Sequence, residues 1–361
     1  MFLAWNEIKH SKARYFLIIG VVILVSYLVY FLTGLAYGLA QENRIAVDQW
    51  EADGIVLTDE SNSNINMSML STDQVEEVKS NESTALGVTQ NVIRKEGETG
   101  EDSKVNVTFF GIDQEDFLMP EITEGTEFQN SDEVVADISL NEVEGIEIGD
   151  TLKLAGTDKE VTVVGFTEDT KYSVTPVLHT DVDTYMEVRY SQTEVPPETV
   201  YSALVYRGSG PGQDVLADND LVAYEIDDFI LELPGYSAQL LTFGLMIGFL
   251  VLIAAIVIGI FIYVLTLQKK SLFGVMKAQG ISNGYISNSV VIQTLLLTVA
   301  GVGIGLALTI ATSFVLPPAV PYSNNFLFFA IITALLLVMA VLGGLFSVKT
   351  VVSIDPLDAI G

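Results

Sequence analysis

Long apolar stretches without charge limit what this chain can fold into. Residues 15–40 read YFLIIGVVILVSYLVYFLTGLAYGLA, a run longer than the roughly 20 residues that span a bilayer as a helix. Three more uncharged stretches occupy residues 236–268, 285–316 and 326–348. Segments of this length and apolarity are typical of membrane-spanning helices and not of the core of a soluble domain. The sequence therefore predicts an α-helical membrane protein with four transmembrane helices.

The N-terminal region admits a second interpretation, a cleaved signal peptide. The first apolar run is longer than the roughly 7 to 15 residues of a signal-peptide h-region and lacks a clear small-residue cleavage site, which favours a retained helix. Residues 1–14 precede this run and place Phe2, Trp5 and Ile8 near one helical face. They predict a cytoplasmic amphipathic elbow, although a basic flank with an interfacial tryptophan would explain the same residues.

Charge is distributed unevenly along the chain. All but three of the 46 acidic residues lie in residues 41–235, whereas every basic residue outside this segment flanks an apolar stretch. Because positively charged flanks remain in the cytoplasm, both termini, residues 269–284 and the tail 349–361 are expected inside. Residues 41–235 and the short loop 317–325 are then extracellular, and the protein is expected in the plasma membrane. The flanking basic residues are Lys9, Lys12, Arg14, Lys269, Lys270, Lys277 and Lys349.

The acidic segment, residues 41–235, has the pattern of a mixed α/β domain. Its central part, IEIGDTLKLAG followed by KEVTVVGF, alternates apolar and polar side chains as strands do. Gly149 and Gly156 fall at the expected turns of this β-hairpin. The predicted fold class is thus four transmembrane helices with one extracellular mixed α/β domain.

Composition and motifs exclude several classes of function. The net charge of −29 would repel nucleic acid, and the absence of cysteine excludes disulfide and thiolate chemistry. The sequence has no GxxxxGK[ST] loop, so we expect a non-catalytic subunit whose ATP is bound by another protein. His10 and His179 have no metal-binding spacing and are interpreted as surface residues. No metal site and no intrinsic cofactor are expected, and the many carboxylates are interpreted as a solvated acidic surface.

Glycine pairs four residues apart occur in three of the apolar stretches. Such pairs allow close approach of helices in lipid, either within one subunit or between subunits. We assign Gly301 and Gly305 to packing within the subunit. The predicted dimer-interface residues are Gly34, Gly38, Gly244 and Gly248.

Two cytoplasmic segments carry a family resemblance. KKSLFGVMKAQGISNGYISNSVVIQ, residues 269–293, and the closing KTVVSIDPLDAIG resemble the coupling loop and C-terminal segment of MacB/FtsX-like (type VII) permeases of ABC transporters. One helix before the outer domain and three after it are also similar to this family. The resemblance implies a homodimer that works with two copies of a cytoplasmic ABC ATPase. The implied ATPase-coupling residues are Lys269, Lys270, Phe273, Met276, Lys277, Gly280, Tyr285, Asp355 and Pro356.

The N-terminal third shows a narrower resemblance. MFLAWNEIKHSKARYFLI, FLTGLAYGLAQEN and DQWEADGIVL resemble the haem-efflux permeases of Gram-positive bacteria (HrtB type). This resemblance implies haem as the transported ligand, entering a pocket between two subunits from the lipid. Since iron accepts tyrosine, methionine and more weakly carboxylate ligands, polar and aromatic residues near the outer membrane face are candidates. The candidate substrate residues are Tyr30, Phe31, Tyr37, Glu42, Glu232, Tyr236, Phe243 and Met246.

Other interpretations of these residues remain open. Tyr37 and Tyr236 could belong to an aromatic belt, Met246 could simply pack, and Arg44 could be an ion-pair partner of Glu42. The whole chain could also be a mechanotransmission permease, which moves another cargo, such as a peptide, antibiotic or lipoprotein, or activates an extracellular partner. Haem transport places the ligand contacts in the membrane, whereas mechanotransmission places the functional contacts on the outer domain.

Overall fold

The computed structural model describes residues 12–80, 82–98, 100, 103–114 and 116–352. It divides into a helical unit, Met1–Gly38 with Leu241–Gly361, and a second unit, Leu39–Leu240. Because the second unit contains most of the acidic residues, we also call it the acidic unit. The helices are α1 Lys12–Gln49, α2 Thr72–Val78, α3 Ser139–Glu144, α4 Val182–Arg189, α5 Gln213–Asp218, α6 Ile226–Glu232, α7 Tyr236–Gln268, α8 Lys270–Ala278, α9 Asn283–Ser313 and α10 Phe326–Val352.

The strands all belong to the second unit. They are β1 Gly54–Thr58, β2 Leu70–Ser71, β3 Ser83–Lys95, β4 Val105–Gly111, β5 Ile122–Gly125, β6 Glu133–Asp137, β7 Thr151–Leu154, β8 Glu160–Thr167, β9 Lys171–Tyr172, β10 Thr175–Thr180, β11 Val200–Tyr201, β12 Ala203–Tyr206 and β13 Leu221–Glu225.

Four helices are long and apolar enough to cross a membrane among the described residues. The spans are Tyr15–Gln49, Tyr236–Gln268, Asn283–Ser313 and Phe326–Leu345. The predicted helical membrane architecture with a mixed α/β domain is therefore confirmed.

The element ends differ from the hydropathy boundaries. Helix α1 already includes residues 12–14 of the predicted elbow and continues past residue 40 to Gln49, while the rest of the elbow lies outside the described residues. The predicted cytoplasmic loop 269–284 contains a helix of its own, α8. Helix α10 continues into the predicted tail, to Val352. Hydropathy indicates which part of a helix can lie in lipid. The helix itself continues beyond that part as long as its backbone hydrogen bonds and its packing are maintained.

Glycines bring α1 and α9 together in the helical unit. A Cβ atom placed on Gly301 would collide with the Val22 side chain, and one on Gly305 would lie 3.0 Å from the backbone nitrogen of Tyr27. The Oγ of Ser26 donates to the carbonyl of Gly301 at 3.4 Å. The prediction that these two glycines serve packing within the subunit is confirmed.

The second unit is built around an 11-stranded mixed sheet. Its strand order is β13-β1-β12-β3-β4-β10-β6-β8-β5, with β7 paired to β3 and β8, and β9 paired to β10. The β4–β10 and β6–β8 pairs are parallel and the other pairs are antiparallel. The predicted β7–β8 hairpin is confirmed, with Gly149 and Gly156 at positive φ beside it. Both glycines adopt backbone conformations that other residues rarely reach.

The last part of α1 is embedded in the core of the second unit. Ala46, Val47 and Trp50 are buried in the same cluster as Phe110 and Phe229. The Trp50 and Phe110 rings lie 5.9 Å apart. This packing explains why the helix continues beyond the apolar stretch that predicts it.

His179 contradicts its interpretation as a surface residue. It lies on β10, is 2 % exposed, and its ring meets Phe110 edge-on at 5.6 Å. Burial lowers the pKa of His179 to about 3, which a backbone contact with Val135 only partly opposes. The imidazole is therefore neutral at physiological pH. His10 lies outside the described residues.

Candidate functional site

Glu42 lies near the end of α1, within the second unit, and forms an ion pair. Its Oε1 is 2.5 Å from the Nζ of Lys171, and the two side chains are only 19 % and 11 % exposed. The suggested partner, Arg44, instead pairs with Asp48 one helical turn away, at 2.6 Å. Lys171 lies far away in sequence, so nothing in the local pattern around Glu42 identifies it.

The segment around Lys171, residues 167–174, wraps around the end of α1, and we name it the α1 clasp. Two backbone amides of the clasp donate to carbonyls of the helix: Ser173 to Asn43 at 3.0 Å and Val174 to Glu42 at 3.1 Å. Ser173 and Val174 have φ values of 48° and 69°. A β-branched residue at positive φ is an outlier, which indicates that the surrounding contacts hold the turn in place.

A second set of hydrogen bonds holds the clasp to both α1 and the sheet. Thr170 Oγ1 donates to the Gln49 side chain at 3.0 Å. The buried Asp137 at the end of β6 accepts hydrogen bonds from the backbone amides of Ser139, at 2.9 Å, and Thr170. Burial raises the pKa of Asp137, while hydrogen bonds from Ser139 and Thr170 and the charge of Lys171 oppose that shift. The clasp therefore connects the end of α1 to the central sheet through specific polar contacts.

Two further candidates belong to the same unit. Tyr236 is buried in the cluster that contains Trp50 and Phe229, whereas Glu232 at the end of α6 is exposed. Tyr236 is therefore a core residue in this conformation and is not accessible to a ligand. Its role as a haem ligand stays a prediction.

In the helical unit, α1 presents a row of aromatic residues. Tyr30 is fully buried, and its hydroxyl lies 2.6 Å from the Thr333 hydroxyl. Tyr30 therefore packs inside the bundle in this conformation, and its role as a substrate contact stays a prediction. Phe31 stacks on Tyr322 at 5.6 Å. Tyr37 meets Phe328 edge-on at 5.5 Å and is half-buried, so part of its surface stays open.

The four glycines of the predicted dimer interface fall into two classes. A Cβ atom on Gly34 would collide with the Tyr322 ring, and one on Gly38 would collide with the backbone of Pro321. These two glycines accommodate the 317–325 loop of the same chain, and their assignment to a dimer contact stays a prediction. A Cβ atom on Gly244 or Gly248 would meet no atom of the described residues within 4 Å.

Phe243 and Met246 lie on α7 near these two open glycines. Both side chains are half-buried, whereas the glycines are exposed. Of the candidate haem contacts in the helical unit, Phe31, Tyr37, Phe243 and Met246 thus keep accessible surface.

The predicted coupling residues also separate into interior and surface positions. Phe273 and Met276 of α8 pack against Ile286 and Val290 of α9, which fixes the short helix on the longer one. Lys269 is buried and faces the helices, and its predicted role in ATPase coupling stays a prediction. Lys270, Gly280 and Tyr285 are exposed, Lys277 is half-buried, and Asp355 and Pro356 lie outside the described residues.

Some residues with specific contacts are absent from the sequence predictions. Tyr322 is in a short Pro-rich loop with no periodic pattern that could reveal its contact with α1. Gln293 is different, because a polar amide inside an apolar helix is itself a signal of a partner in the bundle. Its contacts are described below.

Comparison with known proteins finds a family similarity in the C-terminal part of the chain. Residues 244–356 match the family described as FtsX-like permease C-terminal. These residues are similar to the C-terminal domain of FtsX-like permeases. The predicted resemblance to FtsX-like permeases of ABC transporters is confirmed by this match.

Curated relatives match the chain over its full length. Two sequences from strains of Staphylococcus epidermidis, each named "Putative hemin transport system permease protein HrtB", are 26% identical over 364 residues, covering 100% of this chain and 99% of the relative. A Staphylococcus haemolyticus protein of the same name is 24% identical over 371 residues, with the same coverage.

Two solved structures each match about half of the chain. The periplasmic region of MacB from Actinobacillus actinomycetemcomitans is 11% identical and gives a TM-score of 0.35, covering 52% of this chain and 94% of that structure. The extracellular domain of the ABC-type transporter YknZ from Gram-positive bacteria is 13% identical, with a TM-score of 0.30, covering 51% and 95%. These TM-scores are too low to define a shared fold.

Proposed function

We propose that this FtsX-like permease is the membrane subunit of an ABC-type efflux pump that expels haem from the membrane. The observation that carries the proposal is the end-to-end similarity to proteins named as hemin transport permeases. Haem is amphipathic and partitions into a bilayer, so a site reached from the lipid suits it.

The proposed assembly is a homodimer with two copies of a cytoplasmic ABC ATPase. Both termini and α8 lie in the cytoplasm, and the acidic unit lies outside the plasma membrane. The basic flanks at Lys269, Lys270 and Lys277 support this orientation. Helix α8 supports the ATPase contact, because its inner face is packed on α9 while Lys270 and Tyr285 remain exposed.

The proposed haem contacts in the helical unit are the candidates that keep accessible surface, and Glu42 is a separate candidate in the second unit. Tyr37 and Met246 offer a phenol and a thioether, two groups that ligate haem iron. Phe31 and Phe243 offer flat apolar faces for the porphyrin. Glu42 is held by Lys171, so it would bind iron only by leaving that ion pair. This makes Glu42 the weakest of the proposed ligands.

Haemin titration of the purified chain in lipid nanodiscs, followed by the Soret band, tests the cargo. We expect saturable binding with a shifted band. Tyr37→Phe removes only the phenolic oxygen, and Met246→Leu removes only the sulfur. Loss of an iron ligand should weaken binding about tenfold, equivalent to roughly 1.4 kcal/mol.

A matched pair separates the two roles of Glu42. Glu42→Gln and Lys171→Met both break the ion pair, but only the first removes a carboxylate. A ligand role predicts weaker haemin binding in Glu42→Gln alone, whereas a structural role predicts the same effect in both. Linear, unsaturable haemin partitioning that none of the substitutions alters would overturn haem as the cargo.

Mechanotransmission is the second candidate function, and the α1 clasp is the observation that favours it. The clasp joins a helix that enters the membrane to the central sheet of the acidic unit, as a mechanical relay requires. If substitutions in the clasp abolish activity of the assembled pump while haemin binding stays intact, the relay gains support as a necessary part of the mechanism.

A further inference from the structure

Three buried polar side chains meet where α7 gives way to α8. The Nζ of Lys269 donates to the Tyr15 hydroxyl at 2.8 Å and to the Gln293 side-chain oxygen at 2.9 Å. The Gln293 amide also donates to the Tyr15 hydroxyl. We call these three residues the Lys269 node.

The node joins three separate elements. Tyr15 lies near the start of α1, Gln293 lies in α9, and Lys269 is the single residue between α7 and α8. The Lys269 ammonium also lies 5.4 Å from the centre of the Tyr15 ring, within the range of a cation–π contact. One side chain thus links α1, α9 and the junction between α7 and α8.

Burial makes these bonds important. Tyr15, Gln293 and Lys269 are 1 %, 6 % and 8 % exposed. A charge or amide inside an apolar bundle is costly unless its hydrogen bonds are made, and removing one partner leaves the others unsatisfied. The node therefore favours one discrete arrangement of the three helices over any that separates its members.

Lys269 is also attached to α8 through the backbone. Its amide donates to the Thr266 carbonyl of α7 at 3.1 Å, and its carbonyl accepts from the Phe273 amide of α8 at 3.0 Å. The Phe273 side chain lines a small cavity together with Lys269 and Gln293. A displacement of α8 therefore acts directly on Lys269.

We infer that Lys269 is a positioning residue that transmits displacement of α8 to α1 and α9. The inference rests on the proposed function, in which an ATPase moves α8, and it adds the residue through which the motion reaches the other helices. Lys269 contacts neither ATPase nor cargo in this scheme. The contacts of its ammonium group with Tyr15 instead determine whether α1 moves together with α8.

The absence of cysteine from the chain allows this to be tested with single labels. Leu272→Cys on α8 and Leu24→Cys on α1 place bimane at exposed positions. The permease is assembled with its ATPase in nanodiscs, and fluorescence is compared with and without vanadate-trapped ATP. In the native background we expect both labels to respond.

The variants separate transmission from assembly. In Lys269→Met the α8 label should still respond, while the response of the α1 label should fall about tenfold, the effect of losing a charge-assisted hydrogen bond. Tyr15→Phe, which keeps the ring and removes the acceptor, should weaken the α1 response in the same direction. Gln268→Met changes an adjacent, exposed polar residue at the end of α7 and should leave both responses unchanged.

Each result has one meaning. An undiminished α1 response in both Lys269→Met and Tyr15→Phe would overturn the inference while leaving the proposed ABC function intact. No response of either label in the native background would contradict ATPase-driven motion of α8, and the inference would fail together with that proposal. Haemin takes no part in the measurement, so failure of haem as the cargo would not affect the outcome.

Discussion

At the scale of single residues, buried polar groups give the strongest expectations. His179 is enclosed by the core of the acidic unit, and burial lowers its pKa to about 3, compared with 6.5 for a free histidine. The unfolded chain therefore binds a proton below pH 6.5 that the folded chain does not. The contribution of the neutral His179 to the unfolding free energy is fully present above pH 6.5. It is lost as pH falls from about 6.5 to about 3.

This difference predicts a pH-dependent stability. Between pH 7.5 and 5.5 the native chain should lose about 1.4 kcal/mol of unfolding free energy from His179 alone. Asp137 acts in the opposite direction, because its raised pKa lets the folded state take up a proton first. Unfolding of the native chain and of His179→Asn across this pH range isolates the histidine. Parallel pH profiles for the two proteins would contradict the prediction.

Residue-scale contacts also show the limits of sequence reasoning. The candidates near the membrane boundary are selected by residue type and position. This selection includes Glu42, a carboxylate that does have a specific partner. The pairing with Lys171 depends on a tertiary contact across 129 positions of sequence. Burial of Tyr30 and Tyr236 has the same origin, since an aromatic residue near a membrane boundary gives no signal of which side it faces.

At the scale of elements, periodicity and glycine spacing are informative. The β7–β8 hairpin and the packing of Gly301 and Gly305 within the subunit follow from local patterns and are both present, although the pattern does not name α1 as the partner helix. The extension of α1 to Gln49 is absent from the prediction because a fall in hydropathy does not end a helix. Ala46, Val47 and Trp50 have the helical spacing that could have revealed it.

The α1–α9 contact gives a prediction for one helix. Gly305→Ala would place a Cβ atom 3.0 Å from the Tyr27 nitrogen and 3.1 Å from the Ile23 carbonyl oxygen, and backbone atoms cannot rotate away. We expect a loss of about 1–3 kcal/mol, as in other overpacked interiors. Thermal unfolding in a mild detergent measures it.

Gly303 provides the matched control on the same helix. A Cβ atom there would meet no atom of the described residues within 4 Å. Gly303→Ala should therefore leave the stability unchanged or raise it slightly, because alanine favours the helix. Equal destabilisation by both substitutions would point to a general requirement for glycine in α9 and against the close contact.

At the scale of the whole molecule, four helices are few for enclosing a transport path, and the proposed function requires a second copy. Gly244 and Gly248 form an exposed small-residue face on α7 that no described residue fills, unlike Gly34 and Gly38. A face of this kind allows two α7 helices to approach closely in lipid. We therefore expect the two subunits to meet along α7.

Cysteine crosslinking in native-like membranes tests this contact, because the chain supplies no competing thiol. A disulfide requires Cα atoms roughly 4.4–6.8 Å apart, so Gly244→Cys or Gly248→Cys should form dimers on mild oxidation only if the helices meet there. Gly303→Cys, on an exposed glycine of α9, should not. Gly248→Ile should remove the Gly244→Cys crosslink, since a branched side chain would hold the helices apart. Efficient crosslinking through position 303 but not through α7 would instead place the second subunit against α9. The proposed haem site beside Met246 would then have no residues of the second subunit next to it.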